Sequence, residues 1–276
     1  MMRRRSRLFC CGAAALVSAA TPASAQAVGD KVWLEAGAYW PDVDSHVRVQ
    51  SKVIPLPAAE IDLEGDLALE DRQTLASVSG GIRIGPRLVV AADYYALKRN
   101  ATRSIEREIV FDDVRYPVGV SVTSGFDSDI YRLTVGYDFV RSDKAEIGAA
   151  IGLHATRFEV SISGAGRIGN VSAGTQVRRR RIFAPMPTVG LFAHARLLPR
   201  VSATARVDYM ALGIDDYRGR LINSQAALSY RFVENVGIGV MYRYVDYRVD
   251  ADKARWEGRL RYRFHGPAAF LQIGFR

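Results

Sequence analysis

The sequence predicts an all-β protein, a transmembrane antiparallel up-and-down β-barrel of about ten strands within a range of eight to twelve. Three observations predict it. Apolar and polar residues alternate along most of the chain, and a period of two puts the two sets on opposite faces of a strand. Connections alternate between short turns and long polar segments, the pattern of a barrel with short periplasmic turns and long extracellular loops. Glycines and charged residues recur at mid-strand on the face opposite the apolar one. Small and charged residues suit a narrow barrel interior, while a smooth Val/Ile/Leu/Ala face suits lipid.

The chain opens with Arg3, Arg4, Arg5 and Arg7, an apolar stretch over 8–20, and Ala23-Ser24-Ala25 before Gln26. This is the form of a cleaved signal peptide, 1–25, leaving 26–276 as one barrel domain exported to the outer membrane. Cys10 and Cys11 stand at the start of the apolar stretch rather than after it, which excludes a lipoprotein reading. The whole chain carries 38 basic and 29 acidic residues, a net +9. Removing the leader takes four arginines and no acids, leaving 34 against 29 and a net +5. Nucleic acid is therefore not expected as a partner. Without cysteine, a mature chain also has no disulfide to hold it together.

Ten alternating segments follow. Leu34, Ala36, Ala38 and Trp40 oppose Trp33, Glu35, Gly37 and Tyr39. Val78, Ile82 and Ile84 oppose Ser77, Ser79 and Arg83, and Leu88, Val90, Ala92 and Tyr94 oppose Val89, Ala91, Asp93 and Tyr95. The same rule places Arg132 and Asp138, then His154, then His194 and Arg196, on polar faces of the next three segments. It does so again for Arg206 and Asp208, for Arg231, and for Arg243. The predicted lumen-lining set is thus Glu35, Arg83, Asp93, Arg132, Asp138, His154, His194, Arg196, Arg206, Asp208, Arg231 and Arg243. Six arginines against four acids leave two readings open, a salt-bridged closed interior or a narrow anion-preferring channel. Short turns fall at Gly85-Pro86-Arg87, Ser142-Asp143-Lys144, Pro199-Arg200 and Glu234-Asn235. Long loops are expected over 42–73, 100–127, 163–182 and 250–255. Tyr and Phe near the ends of the apolar runs suit interfacial girdles.

The last segment changes phase. Leu260, Tyr262 and Phe264 are apolar at even positions, whereas Ala269, Leu271, Ile273 and Phe275 are apolar at odd ones. A bulge at Gly266-Pro267 would put all seven on one face. Arg259, Arg261, Arg263 and His265 would then share the other face with Phe270 and Gln272.

The ending Phe270-Leu271-Gln272-Ile273-Gly274-Phe275 resembles the closing strand of bacterial outer-membrane proteins, although Arg276 follows the aromatic. That resemblance implies recognition by the barrel-assembly machinery. Glu64-Gly65-Asp66-Leu67-Ala68-Leu69 is also similar to a Glu-x-Asp-Leu-Gly-Leu stretch of uncharacterised proteobacterial outer-membrane barrels.

Catalytic chemistry is weakly signalled. A barrel enzyme needs a nucleophile or activated water beside a base. Of four histidines, His46 falls in the first loop and His265 in the basic ladder; His154 with Thr156 is the nearest base–hydroxyl pair. Asp208-Tyr209-Met210 lacks the histidine of an Asp-x-His pair, and Asp215-Asp216 reads as a solvated strand top. Neither a catalytic residue, a metal nor a cofactor is expected. Arg178, Arg179, Arg180 and Arg181 are candidates for contact with lipopolysaccharide phosphates. The sequence reading is a non-enzymatic structural or surface-interaction barrel. The alternatives are a passive channel and, less favoured, a lipid A-modifying or proteolytic enzyme.

Overall fold

The computed structural model describes residues 30–53, 59–168, 171–214 and 216–275. The expected signal peptide, Asp215 and Arg276 lie outside them. Among the described residues the strands are β1 (Val32–Tyr39), β2 (Asp42–Ser51), β3 (Ile61–Asp62), β4 (Leu75–Ile84), β5 (Leu88–Ser104), β6 (Ile109–Phe111) and β7 (Val114–Tyr116). They continue with β8 (Ser121–Arg141), β9 (Ala145–Ile168), β10 (Val171–Leu198), β11 (Val201–Ile214), β12 (Tyr217–Arg231), β13 (Val236–Asp252) and β14 (Trp256–Phe275). Ten of them, β1, β4, β5 and β8 to β14, form an antiparallel ring that closes by pairing of β1 with β14. Beyond Trp40-Pro41 the chain resumes as β2, which pairs with the loop-end half of β14 through Arg263↔Asp44 and Arg259↔Arg48.

Two of the four expected long loops, 100–127 and 163–182, are largely strand, and 42–73 contains strand over 42–51 and 61–62. Residues 42–51 are β2, β5 runs on to Ser104, and β8 begins at Ser121. β9 and β10 continue to Ile168 and from Val171. Polar residues on their outer faces give these extensions the composition of loops. Between β5 and β8, the β6–β7 hairpin turns at Asp112 and Asp113, both at positive φ (49° and 68°). Two such residues suit a tight two-residue hairpin turn, and aspartate tolerates that region better than most.

The expected bulge at Gly266-Pro267 is absent. β13 and β14 pair without a shift from Asp252↔Glu257 to Val236↔Ile273. Even positions of β14 face inward throughout, so Leu260, Tyr262, Phe264, Ala268, Phe270 and Gln272 are all buried. Arg259, Arg261, Arg263 and His265 face outward, on the same side as Ala269, Leu271, Ile273 and Phe275. The environment changes along the strand while the register does not.

β8 and β9 show the same change. Near the turns, β8 presents Tyr131, Leu133, Val135 and Tyr137 outward and buries Arg132, Thr134 and Asp138. Toward the loops it presents Asp127 and Asp129 outward and buries Val122, Phe126 and Ile130. β9 passes from Ile147, Ile151 and Leu153 outside to Arg157, Glu159 and Ser161 outside, while its interior passes from Glu146 to Phe158 and Ile162. The turn-end half is therefore apolar outside and polar inside, as lipid requires. The loop-end half has a buried apolar interior and a polar wall, as water requires. Two aromatic girdles bound the apolar band. Trp40, Tyr94, Tyr131, Phe183, Tyr209 and Tyr242 mark its loop side, and Tyr137, Phe139, Tyr230, Phe232 and Phe275 its turn side, all exposed.

Mid-strand glycine gives interior rings room against bare backbone. A Cβ at Gly239 would stand 2.2 Å from the Phe270 ring. Gly239→Ala is expected to cost about 1–3 kcal/mol by overpacking, and to cost almost nothing in a Phe270→Ala background. Urea unfolding in lipid vesicles, arranged as a double-mutant cycle, measures both. Equal cost in the two backgrounds would contradict this packing.

Candidate functional site

The turn-end interior is an ion-pair network. Arg132 on β8 donates from Nε to Asp93 on β5 at 2.7 Å and reaches Asp208 on β11 at 3.1 Å. Arg206 also holds Asp208, at 2.8 Å, and donates to Thr134 Oγ1 at 2.9 Å. Cross-strand register brings Asp93 opposite Arg132, while the span from Arg132 to Asp208 crosses the barrel interior between nonadjacent strands. Nearer the turns, Arg83 pairs with Asp138 and, at 2.7 Å, with Glu146, and Arg231 pairs with Asp30. Glu35 accepts a hydrogen bond from Ser79 at 3.1 Å. His194 lies edge-on to Phe192 at 5.7 Å, and Arg196 is half-buried near the turn end. Buried charges demand partners of this kind because desolvation costs several kcal/mol per ion. A cavity of about 110 Å³ remains among Trp33, Glu35, Asp93, Arg132, Phe192 and Arg206, space for a few waters.

Arg243 forms the ceiling of this zone. Its guanidinium donates to Gln225 at 3.2 Å and lies 4.8 Å from the ring centre of Tyr95 and 5.6 Å from that of Tyr39. Above it Phe126, Phe158, Tyr247, Tyr262 and Phe264 pack with ring centres 4.9–6.3 Å apart.

A plug completes the loop end. After β3, Asp62 Oδ1 accepts from the backbone N–H groups of Glu64 and Gly65, at 3.1 and 2.8 Å, and closes a tight turn. The turn carries Leu63, Leu67 and Leu69 into the barrel, where each is buried. Glu64 accepts from the Ser45 backbone and hydroxyl, at 2.9 and 2.6 Å, and pairs with Arg99. Arg99 is fully buried, donates to Ser45 Oγ at 2.7 Å and lies over the Phe126 ring at 5.1 Å. Asp66 is clamped by Arg107, whose Nε donates at 2.6 Å. The segment Glu64-Gly65-Asp66-Leu67-Ala68-Leu69 is thus the plug itself. Ala68 sits at φ 55°, in the left-handed region that glycine favours, where the similar stretch has glycine.

The four consecutive arginines of β10 are divided by the strand's alternation. Arg179 and Arg181 face outward and share Glu159, at 2.9 and 2.6 Å. Arg180 pairs with Asp112 and lies 5.6 Å from the Trp256 ring, and Arg178 donates to the Asp112 carbonyl at 3.2 Å. His154 and Thr156 share the interior face, 3.5 and 3.3 Å from the Tyr247 hydroxyl, and both are buried. His46 lies on β2 beside Asp44 at 2.9 Å, and Asp216 meets Lys253 at 3.0 Å. Among the described residues no group of three His, Cys, Asp or Glu side chains is placed to hold a metal.

Arg99, Arg107 and Tyr247 are not singled out by the alternation, which names Tyr262 only as one of the apolar positions of the last segment. One signal was available: Arg99 continues the interior parity of Tyr95 and Leu97, where an arginine needs a buried partner.

A ten-stranded barrel with a lipid-facing band, aromatic girdles and a polar, ion-paired core is an integral outer-membrane β-barrel. The chain belongs to the outer membrane protein beta-barrel domain family, whose model matches residues 11–264. No curated protein matches the sequence. Among solved structures it is similar to the outer membrane protease OmpT from Escherichia coli, with TM-score 0.55 and 10% identity over 88% of this chain and 97% of that one. Neisserial surface protein A, with TM-score 0.30 and 14% identity, aligns over 89% of this chain and 97% of its own. The Ralstonia pickettii toluene transporter TbuX, with TM-score 0.40 and 10% identity, aligns over 93% and 92%. The first of these likenesses shows the fold; identities this low carry no activity.

Arg132→Met leaves Asp93 without its ion-pair partner and Asp208 with only Arg206, and is expected to cost about 3–5 kcal/mol in vesicle unfolding. Acid acts on the plug. Burial raises the Asp66 carboxyl, but the Arg107 hydrogen bond and the Asp62 backbone outweigh it and hold the group below its ordinary value. A depressed carboxylate stabilises above its unfolded value, about 4, and that stabilisation is lost as pH falls through the folded value. Protection of the backbone amides over 61–70, taken as exchange relative to the intrinsic rate at each pH, is expected to be flat from pH 8 to 5 and to fall below about 4, with the acid step removed in Asp66→Asn.

Proposed function

We propose that this protein is a closed, non-conducting outer-membrane barrel that acts through its water-exposed wall and loops. The observation that carries this reading is an interior filled along its height, by paired charges below Arg243 and by aromatic rings with the leucine plug above it. Four of the six interior arginines on which an anion channel would depend are held by carboxylates, Arg83, Arg132, Arg206 and Arg231. A fifth, Arg243, lies against tyrosine rings. An enzymatic role has little support, because His154 and Thr156 are sealed beneath the aromatic layer. Arg179 and Arg181, which face outward and pair with Glu159, would meet lipopolysaccharide phosphates in competition with that carboxylate. The closing strand, ending on Phe275, is what the assembly machinery would read.

Planar-bilayer recording tests the closed state. The folded protein is expected to give no steady unitary current, and a variant lacking residues 61–69 is expected to flicker more. Defined, long-lived open levels from the unaltered protein would contradict the proposal.

A further inference from the structure

The barrel wall has an opening near the loop-side girdle. β10 and β11 pair from the turn end only as far as Val189↔Tyr209. Beyond that point β10 pairs with β9 alone, and β11 continues on β12 through Met210↔Leu221 to Ile214↔Tyr217. Two prolines account for the separation. The β9 ladder runs unbroken past Pro185↔Ala155 and Pro187↔Leu153, so both nitrogens face β11, where neither has a proton to donate.

The separated strands leave an apolar slot of about 250 Å³ with Ala184 and Met186 on one side and Met210 and Leu212 on the other. Leu212 shares the interior parity of Asp208 and Met210, yet it is 41% exposed whereas Met210 is 6% exposed. The slot therefore connects the outer surface with the edge of the buried core. Two methionines at its floor supply an adaptable, polarizable surface. Gly219 also lines it, with Met210 Cε 3.1 Å from where a Cβ would stand.

A basic surface adjoins the slot across β12, at the level of Met210 to Gly213. Arg218 lines it. Next along β12, Arg220 stands opposite Arg248, which stands opposite Arg261, which stands opposite His46, in one row across β12, β13, β14 and β2. All four face outward. Like charges directly opposite on one sheet face destabilise it unless anions intervene. Three of the four have an acidic neighbour, His46 with Asp44 at 2.9 Å, Arg261 with Glu60 at 3.4 Å and Arg248 with Asp246 at 3.6 Å, and among the described residues Arg220 has none.

We propose that this slot binds an acyl chain of an outer-leaflet lipid, with the lipid's phosphorylated headgroup on Arg218 and the Arg220–Arg248–Arg261 row. Phe183, a girdle residue at the edge of the lipid-facing band, lines the slot, so a chain enters without crossing water. Strand addition by a peptide is disfavoured because Pro185 and Pro187 remove the donors it would pair with. Cations beside an apolar slot that opens at the lipid band match a phosphorylated amphiphile, since the arginine fork holds phosphate in bidentate geometry. The assignment goes beyond the closed-barrel reading and holds whether or not the pore conducts.

Native mass spectrometry of the full chain, exchanged into detergent after incubation with phosphatidylglycerol, phosphatidylcholine or inorganic phosphate alone, tests it. The unaltered protein is expected to retain one phosphatidylglycerol, several-fold more often than phosphatidylcholine. Gly219→Leu, which fills the slot, should reduce retention of both lipids at least tenfold. Arg218→Ala with Arg220→Ala should abolish the preference while leaving phosphatidylcholine retention unchanged. Met186→Phe serves as a second filling variant if Gly219→Leu fails the heat-shift test of barrel folding. Equal lipid retention by filled and unfilled proteins would overturn the proposal, as would phosphate binding with no lipid retained.

Discussion

The structure depends on strands that are longer than the membrane is thick and keep one register across its surface. A period of two cannot change face without a bulge, and β14 has none between Glu257 and Ile273. The chemistry of each face must therefore change at the boundary. Within lipid, every backbone group is satisfied by the closed ladder and the outer side chains are apolar. Above lipid, the same outer positions carry Arg259, Arg261 and Arg263, and the inner ones carry Leu260, Tyr262 and Phe264. The girdles of Tyr and Phe stand where one regime gives way to the other.

The two halves consequently draw on different interactions. In the loop-end half, burial of Phe126, Phe158, Tyr247 and Tyr262 supplies the hydrophobic term available to any water-soluble barrel. The plug adds three leucines to that core, and its polar groups are met by Ser45, Arg99 and Arg107. In the turn-end half, lipid outside gives no comparable drive, and the interior is held by Arg132, Asp93, Arg206 and Asp208. Such pairs are weak evidence for net stability but costly to break singly. Arg243, against Tyr39 and Tyr95, joins the two zones through cation–π contacts.

Much of the turn-end half was legible in the sequence. Alternation there has the sign expected for lipid, the four short turns fall where written, and ten segments correspond to ten ring strands. The loop-end half was harder because its sign is reversed. In β14 the reversal resembled a bulge because Gly266-Pro267 lies at the crossing point, and glycine and proline are the residues a bulge uses. In β8 and β9, outward Asp127, Asp129, Arg157 and Glu159 made strand look like loop. Arg178 to Arg181 read as one patch because their strand had not been recognised, and alternation sends two of them inward. Pro185 and Pro187 were visible as residues, but their effect depends on which neighbour each nitrogen faces, a property of the register.

The most direct test is a scan of single spin labels along 259–275, with accessibility to oxygen and to a water-soluble nickel reagent read at each position. The unbroken register predicts nickel access at Arg259, Arg261 and Arg263, oxygen access at Ala269, Leu271 and Ile273, and low access to both at the even positions throughout. Oxygen access at Leu260, Tyr262 and Phe264, with the phase reversing at Gly266-Pro267, would contradict it.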